Sequence, residues 1–188
     1  MKVITFFLAV TVSMSQASPP VAAVERVDLS KYIGLWNELY RVPNRFQDNS
    51  SSTKTACYNT TAEYAPREGK ISVTNTCTRT IDGNAEQDIA TALASIVPGS
   101  GDAKLVVNFT GLAVLRWLGI GDGNYWILGL GAETGGKYSW ALVGEPSRKY
   151  GWILSRKLDL PTTELEKIFR TAEANGYQRS QFIPTQKR

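Results

Sequence analysis

The sequence predicts an all-β domain, an antiparallel sandwich or barrel, with one helix near the C-terminus. About eight short runs rich in β-branched and aromatic residues are separated by turns containing glycine or proline. Polar and apolar residues alternate through residues 55–79, as they do in antiparallel strands that bury one face. One amphipathic segment follows the last of these runs. A chain of 188 residues is long enough to build one such core without needing a disulfide or a metal site for stability.

The predicted elements follow one another with short connections. Residues 28–32 form one helical turn that Asp28 caps, and Gly34–Val42 begins the first strand. The later predicted strands are 57–64, 70–77, 89–97, 104–109, 125–130, 138–143 and 150–155. The helix is predicted from one apolar stripe, formed by Leu165, Ile168, Phe169 and Ala172. Asn175–Gly176 ends it, and its stripe is expected to bury against the outside of the sheet.

The composition excludes several classes of function. The chain contains no histidine, which excludes Ser-His-Asp and Cys-His catalysis, histidine-ligated haem and most zinc sites. The formal net charge of +4 is spread without a run of one sign, so no nucleic-acid partner is predicted. No metal or cofactor is predicted, and no oligomeric state. Aromatic residues make up 10% of the chain and are the side chains most suited to form a ligand-binding surface.

The first residues are typical of a secretory signal peptide. Lys2 gives a positive start, Val3–Val12 is mostly apolar, and Ser15–Ala17 offers small residues at a cleavage site. The alternative is a transmembrane anchor, but the apolar run is shorter than the ~20 residues of a span. We therefore predict a signal peptide at 1–17, a loose lead-in at 18–27 and one folded domain at 28–188. With no cysteine near the cleavage site, the domain is expected to be exported without a lipid anchor, to the periplasm or the extracellular space.

The two cysteines are expected to form a disulfide in an exported chain. Cys57 and Cys77 flank two strand-like runs that Pro66–Gly69 joins as a turn. In such a hairpin the two thiols fall close together across the ladder, which favours a bond between them. The alternative is that Cys57 is a free nucleophilic or redox thiol.

Three stretches of the chain share a pattern with one known family. Tyr32–Leu39 contains Gly34-Leu-Trp36, Tyr138–Gly144 forms a late hairpin, and Trp152–Arg156 closes the barrel-like region. Together these stretches resemble the lipocalin family, in its bacterial and apolipoprotein-D-like branch. The resemblance implies an eight-stranded antiparallel up-and-down barrel, a calyx, with the C-terminal helix packed on its outside.

The resemblance also implies a structural signature at one end of the barrel. Trp36 would plug the floor, Arg156 would stack on its ring, and Gly34 would let the backbone approach closely. The alternative for Arg156 is a role as an anion ligand inside the cavity, because it shares alternation parity with Trp152 and Leu154.

Six residues are predicted to bind a ligand. Tyr125 and Ile127 share one face of their strand, and the resemblance favours Tyr125 and Trp152 pointing inward near the open end. Glu38 and Tyr40 have the parity of Trp36, and a buried carboxylate needs a partner or a ligand head group. The predicted set is Glu38, Tyr40, Tyr125, Ile127, Trp140 and Trp152. The alternative for the aromatic members is that they only fill the barrel.

The segment Leu112–Leu118 is apolar although it is predicted to join two strands. At the open mouth it would form a lid, a peripheral contact with a membrane, a contact with a partner protein, or a loop packed into the cavity. The leading functional hypothesis is an exported carrier of a small hydrophobic ligand such as a fatty acid or lysophospholipid. The alternatives are an isomerase-type lipid enzyme using Cys57, Glu38 or Tyr125, and a protein-binding module acting through its open-end loops.

Overall fold

The computed structural model describes residues 19–109 and 123–188. The predicted signal peptide and the apolar segment Leu112–Leu118 lie outside these residues. The helices are α1 (Leu29–Tyr32), α2 (Arg45–Asp48) and α3 (Thr162–Ala174). The strands are β1 (Gly34–Arg41), β2 (Tyr58–Arg67), β3 (Lys70–Ile81), β4 (Asn84–Ile96), β5 (Lys104–Phe109), β6 (Gly123–Leu130), β7 (Glu133–Thr134), β8 (Lys137–Tyr138), β9 (Trp140–Gly144), β10 (Gly151–Ser155) and β11 (Ile183–Pro184).

Eight of these strands close into an antiparallel barrel. Their order around the sheet is β1-β2-β3-β4-β5-β6-β9-β10, and β10 pairs back onto β1 with Glu38 opposite Leu154. Successive strands are neighbours, as in an up-and-down barrel. The predicted all-β antiparallel fold class is therefore confirmed. Of the two predicted architectures, the structure is a barrel and not a sandwich.

The barrel wall between β1 and β2 is completed by the short strand β11. β1 pairs with β2 from Gly34 to Asn37. Beyond that point β11 takes the place of β2, with Arg41 opposite Ile183, and Gln186 bridges to β2 at Tyr58. The end of the chain is thus wedged into the wall at the mouth of the barrel.

The pairings among the described strands contain three register shifts of the β-bulge type, in β1, in β2 between Tyr58 and Thr61, and in β6. In β1, Glu38 lies opposite Leu154 and Tyr40 opposite Ile153, so Leu39 is the extra residue. In β6, Ile127 lies opposite Val143 and Gly129 opposite Leu142. Each bulge breaks the strict alternation on which inward and outward assignments from sequence depend.

The helix α3 lies against the outside of the barrel, as predicted. Ile168, Phe169 and Ala172 bury against strand residues such as Leu142 and Ile153. The helix starts after Pro161 and ends at Ala174, Asn175 is its C-cap, and Gly176 has a φ of +77°. A second cluster, around Trp36 and Val73, fills the closed half of the interior.

The segment before α1 is packed, so the expectation of a loose lead-in is wrong. Val24 N donates to Ile127 O at 2.8 Å, and Val27 N donates to Gly101 O at 2.8 Å. A Cβ on Gly101 would lie 2.1 Å from Glu25 O, so this close approach requires glycine. Val27 is 2% exposed.

The disulfide between Cys57 and Cys77 is present, with the two Cα atoms 5.5 Å apart. It joins the residue before β2 to the middle of β3, as the hairpin register predicts. The partner strand β4 is longer than predicted, because the polar residues 84–88 continue an exposed hairpin that the apolar pattern does not reveal. Within residues 19–109 and 123–188, no helix has the length and hydropathy needed to cross a membrane.

Candidate functional site

The barrel encloses a cavity of about 260 Å³ that opens at the end opposite Trp36. This volume is just below the roughly 300–1,000 Å³ of typical small-molecule sites. Its walls are mainly apolar and aromatic. The described lining residues are Glu38, Phe46, Gln47, Thr60, Thr61, Ala62, Tyr64, Val73, Asn75, Val107, Gly123, Asn124, Tyr125, Glu145, Ser147, Lys149, Tyr150, Trp152 and Leu154.

A row of three stacked aromatic rings lines the mouth. The rings of Phe46 and Tyr150 have centroids 5.6 Å apart, and those of Tyr150 and Trp152 are 6.2 Å apart and nearly parallel. The Trp152 Nε1 donates to Gln47 Oε1 at 3.1 Å, which fixes the orientation of the indole. The exposed Lys149 lies beside this row at the rim. The mouth therefore offers flat apolar surface next to a positive charge.

One wall of the cavity carries a buried carboxylate. Glu38 Oε1 accepts from Arg41 Nη1 at 3.0 Å and from Thr185 Oγ1 at 2.5 Å. Its Oε2 accepts from Gln47 Nε2 at 2.6 Å. Burial raises the pKa of Glu38, while Arg41, Thr185 and Gln47 act in the opposite direction. The charge is thus satisfied by its own neighbours, as a buried carboxylate requires.

The short helix α2 delivers Gln47 to this wall. Asn44 caps the helix, with its Oδ1 accepting from Gln47 N at 3.0 Å. Asp48 binds Arg41 through both carboxylate oxygens, each 3.1 Å from Nε. The main-chain carbonyl of Gln47 accepts from Cys57 N at 2.7 Å. These bonds tie the mouth loop to β1 and to the disulfide.

The inner end of the cavity is formed by tyrosine hydroxyls. Tyr125 Oη lies 2.6 Å from Tyr32 Oη and 2.8 Å from Tyr64 Oη. Tyr64 and Tyr125 line the cavity, whereas Tyr32 lies beneath them with its ring 5.2 Å from Trp36. Burial raises the pKa of all three hydroxyls, so they are protonated at neutral pH.

Thr60 has a hydroxyl without a protein partner. Its residue is 8% exposed and lines the cavity, and within the described part of the chain its Oγ1 has no hydrogen bond. Thr60, Ala62 and Tyr64 occupy the inward face of β2. An unsatisfied hydroxyl inside a cavity is available to a bound molecule.

The closed end has the geometry that the resemblance implies. The Arg156 guanidinium lies 3.6 Å from the centroid of the Trp36 ring. Trp36 is fully buried, and its Nε1 donates to Tyr32 O at 2.8 Å. Gly34 has a φ of +102°. Arg156 also donates to the carbonyl oxygens of Lys31, Tyr32, Ile33 and Leu35.

The structure divides the predicted ligand-binding residues into three groups. Glu38, Tyr125 and Trp152 line the cavity, although the Tyr125 hydroxyl lies at its inner end and not near the mouth. Ile127 faces the barrel interior but belongs to the packed cluster around Trp36. The remaining two, Tyr40 and Trp140, lie on the outside of the barrel.

Tyr40 and Trp140 were expected to contact a ligand, and for both this prediction is wrong. The bulge at Leu39 turns Tyr40 outward, where its ring meets Phe169 of α3 at 5.5 Å. Trp140 is covered by α3 as well, and its Nε1 donates to Glu164 Oε2 at 2.9 Å. Both side chains therefore stabilise the helix contact.

Sequence reasoning missed Gln47, Thr60 and Tyr64. An N-cap residue followed three positions later by glutamine is a helix-start signature, and Asn44 with Gln47 matches it. Thr60 and Tyr64 share the inward parity of their strand, a signal that was available once the hairpin was recognised. Their hydrogen bonding depends on side-chain conformation and had no sequence signal.

Residues 27–187 match the sequence profile of a family described as a lipocalin-like domain. The chain is a lipocalin. Among curated relatives, this lipocalin is 30% identical to the outer membrane lipoprotein Blc of Vibrio cholerae, over 88% of this chain and 86% of the relative. It is 29% identical to temperature-induced lipocalin-1 of Arabidopsis thaliana, over 86% of this chain and 80% of the relative. The bacterial branch indicated by the sequence motifs is consistent with these relatives.

A solved structure supports the fold independently. Insecticyanin from the tobacco hornworm Manduca sexta superposes with a TM-score of 0.64, at 22% identity, covering 90% of this lipocalin and 86% of that chain. At this level of identity the likeness concerns the fold.

Proposed function

We propose that this lipocalin is an exported carrier that holds one small hydrophobic ligand, a fatty acid or lysophospholipid, in its barrel. The observation that carries the proposal is the open cavity of about 260 Å³ with largely apolar walls. Burial of an acyl chain against these walls contributes about 25 cal/mol per Å² of apolar area.

The residues at the mouth favour a ligand with an acidic or zwitterionic head group that stays at the rim. Lys149 is exposed there beside Tyr150 and Trp152. An acyl chain would run inward past Val73 and Val107, while its charged head stays near Lys149 and water. Membership of the lipocalin family, whose barrels hold one small ligand, supports binding inside the barrel.

Neither alternative function is favoured by a specific observation. A nucleophilic Cys57 is not supported, because its sulfur is bonded to Cys77. The protein-binding alternative depends on Leu112–Leu118, which lies outside the described residues. The predicted signal peptide, on which export depends, also lies outside them. Export without a lipid anchor, and contact of Leu112–Leu118 with a membrane, remain parts of the proposal.

Native mass spectrometry and tryptophan fluorescence test the carrier function. Protein purified from its own host without detergent is expected to retain one lipid per chain. Titration with hexadecanoic acid or a lysophosphatidylcholine is expected to quench Trp152, which lines the cavity. The Trp152→Phe variant should lose this signal, whereas Trp126→Phe should keep it, because Trp126 lies on the outer face beneath Lys104. Absence of both bound lipid and quenching would overturn the proposal.

A further inference from the structure

The inner end of the cavity contains more hydroxyl protons than hydrogen bonds to use them. Tyr32, Tyr64 and Tyr125 carry three phenolic protons, all retained at neutral pH. Their oxygens are joined by two hydrogen bonds, both to Tyr125. Within residues 19–109 and 123–188, these are the hydrogen bonds that the three hydroxyls make. Whichever way the two bonds are directed, one phenolic proton is left without an acceptor.

Two of the three possible positions for this spare proton face the cavity. If Tyr32 donates to Tyr125 and Tyr125 to Tyr64, the spare proton is on Tyr64. If both neighbours donate to Tyr125, it is on Tyr125. Tyr64 and Tyr125 line the cavity and Tyr32 does not. A donor buried without an acceptor is costly, so an acceptor arriving in the cavity would select one of these arrangements.

The charges around the cavity exclude a carboxylate as the preferred acceptor at this depth. Glu38 is a buried carboxylate on the same cavity, close enough to raise the pKa of Tyr64 further. The cation among the described lining residues is Lys149, which lies at the mouth. Arg156 stacks on Trp36 and is bonded to main-chain carbonyls, and neither residue lines the cavity. An anion at the inner end would have no positively charged residue beside it among the described lining residues, whereas a neutral oxygen needs only the spare tyrosine proton.

From this proton count we infer that the ligand carries a neutral hydrogen-bond acceptor, a carbonyl oxygen, at its inner end. The inference rests on the proposed carrier function and narrows its ligand to a chain oxygenated at the end remote from its head group. The spare tyrosine proton donates to that oxygen. The unpartnered Thr60 hydroxyl lies four residues from Tyr64 along β2, on the same inward face, and bonds a second polar group of the ligand.

A matched pair of probes separates this inference from simple chain burial. Decanoic acid and 9-oxodecanoic acid have the same number of carbons, and the second adds a ketone next to the terminal methyl group. A net hydrogen bond of about 0.5–1.5 kcal/mol corresponds to roughly two- to tenfold in affinity, so we expect the keto acid to bind about fivefold tighter. Affinities are measured by calorimetry and by quenching of Trp152.

Two variants locate the donor. Tyr64→Phe with Tyr125→Phe removes both cavity-lining hydroxyls, and is expected to abolish the preference while decanoic acid still binds. Tyr32→Phe is the matched control, because two protons then serve the one remaining Tyr64–Tyr125 bond and a spare donor still faces the cavity. An isotope-labelled ketone adds a spectroscopic readout: its C=O stretch should shift to lower frequency on the wild type and on Tyr32→Phe, but not on the double variant.

The possible results separate this inference from the proposed function. If decanoic acid binds but the keto acid is less than twofold tighter and its C=O stretch is unshifted, the inference is overturned and the carrier function stands. A preference that survives in a folded double variant also overturns it. If neither probe binds, both proposals fall. If the double variant does not fold, the inference is tested on the wild type alone, by the ratio of the affinities for the keto acid and decanoic acid and by the shift of the C=O stretch.

Discussion

At the level of single residues, Glu38 connects the cavity to the rest of the barrel. Its carboxylate binds Arg41 on its own strand, Gln47 on α2 and Thr185 after β11. One buried group therefore holds three separate parts of the chain together. Burial raises its pKa, so the folded protein holds a proton on Glu38 at a higher pH than the unfolded chain does.

Replacement of Glu38 by glutamine is expected to change how stability depends on pH. Since the pKa of Glu38 in the folded state lies above the ordinary value of 4.5, ionisation of Glu38 costs more free energy in the folded protein than in the unfolded chain. Relative to Glu38→Gln, the wild type should therefore gain free energy of unfolding as the pH falls through the raised folded pKa to about 4.5, and no more below that. Urea unfolding at a series of pH values measures this difference. Glu63→Gln, an exposed position on β2, controls for loss of a negative charge, and parallel curves for Glu38→Gln and wild type would contradict the prediction.

Arg156 is expected to contribute to stability and not to ligand binding. Arg156→Ala leaves the carbonyls of the α1 region without their donor and uncovers Trp36, so the free energy of unfolding should fall by about 2–3 kcal/mol. Arg156→Lys should recover only part of the lost free energy of unfolding, because a lysine ammonium lacks the planar set of N–H donors that the guanidinium presents. Arg67→Ala, at an exposed position, is the control. Weaker binding of decanoic acid to folded Arg156→Ala would instead support the alternative of an anion ligand.

At the level of elements, the sequence predicts the barrel strands and the helix but not the bulges. Gly34, Trp36 and Arg156 could be placed because the motifs that contain them resemble the opening and closing strands of lipocalins. Tyr40 could not, because one extra residue in β1 reverses every inward and outward assignment after it. Glu38, Tyr125 and Trp152 lie inward as predicted, whereas Gln47 was missed because it lies on the short helix α2. Thr60 and Tyr64 were missed although alternation in β2 places both of them inward.

The disulfide links two such elements and also supports the mouth. Reduction, or the pair Cys57→Ser with Cys77→Ser, releases a loop with a sequence separation of 20. The chain-entropy model gives a loss of about 3 kcal/mol in the free energy of unfolding for a loop of this length. Chemical unfolding with and without reductant measures it. An unchanged midpoint would contradict the prediction, and a single Cys77→Ser variant separates loss of the crosslink from loss of the Cys57 side chain.

At the scale of the whole molecule, the cavity and the helix-covered surface belong to different cores. The cluster around Trp36 supports the cavity from inside, and the cluster around Ile168 and Phe169 lies between barrel and helix. A ligand in the cavity would contact six of the eight barrel strands, because the described lining residues include members of β1, β2, β3, β5, β6 and β10. Binding should therefore stabilise the entire fold and not one segment.

Ligand is expected to raise the thermal midpoint in proportion to the logarithm of its concentration. At a free concentration 100 times Kd, a fatty acid stabilises the folded state by about 2.7 kcal/mol. For a domain of this size that corresponds to a rise of roughly 5–11 °C. Differential scanning calorimetry with hexadecanoic acid measures the shift, and the same buffer with acetate in its place is the control, because acetate has little apolar surface to bury. A midpoint that does not move with ligand concentration would contradict the prediction.

The wedge formed by β11 has a consequence for how the barrel is made. Its residues fill the gap between β1 and β2 beside Glu38, and Thr185 N donates to Leu39 O at 2.8 Å. During synthesis these residues leave the ribosome after those of β1–β10, so the side wall of the barrel stays open until β11 has been made. Sealing then depends on contacts between strands that are far apart in the sequence, which makes it a late and slow event in folding.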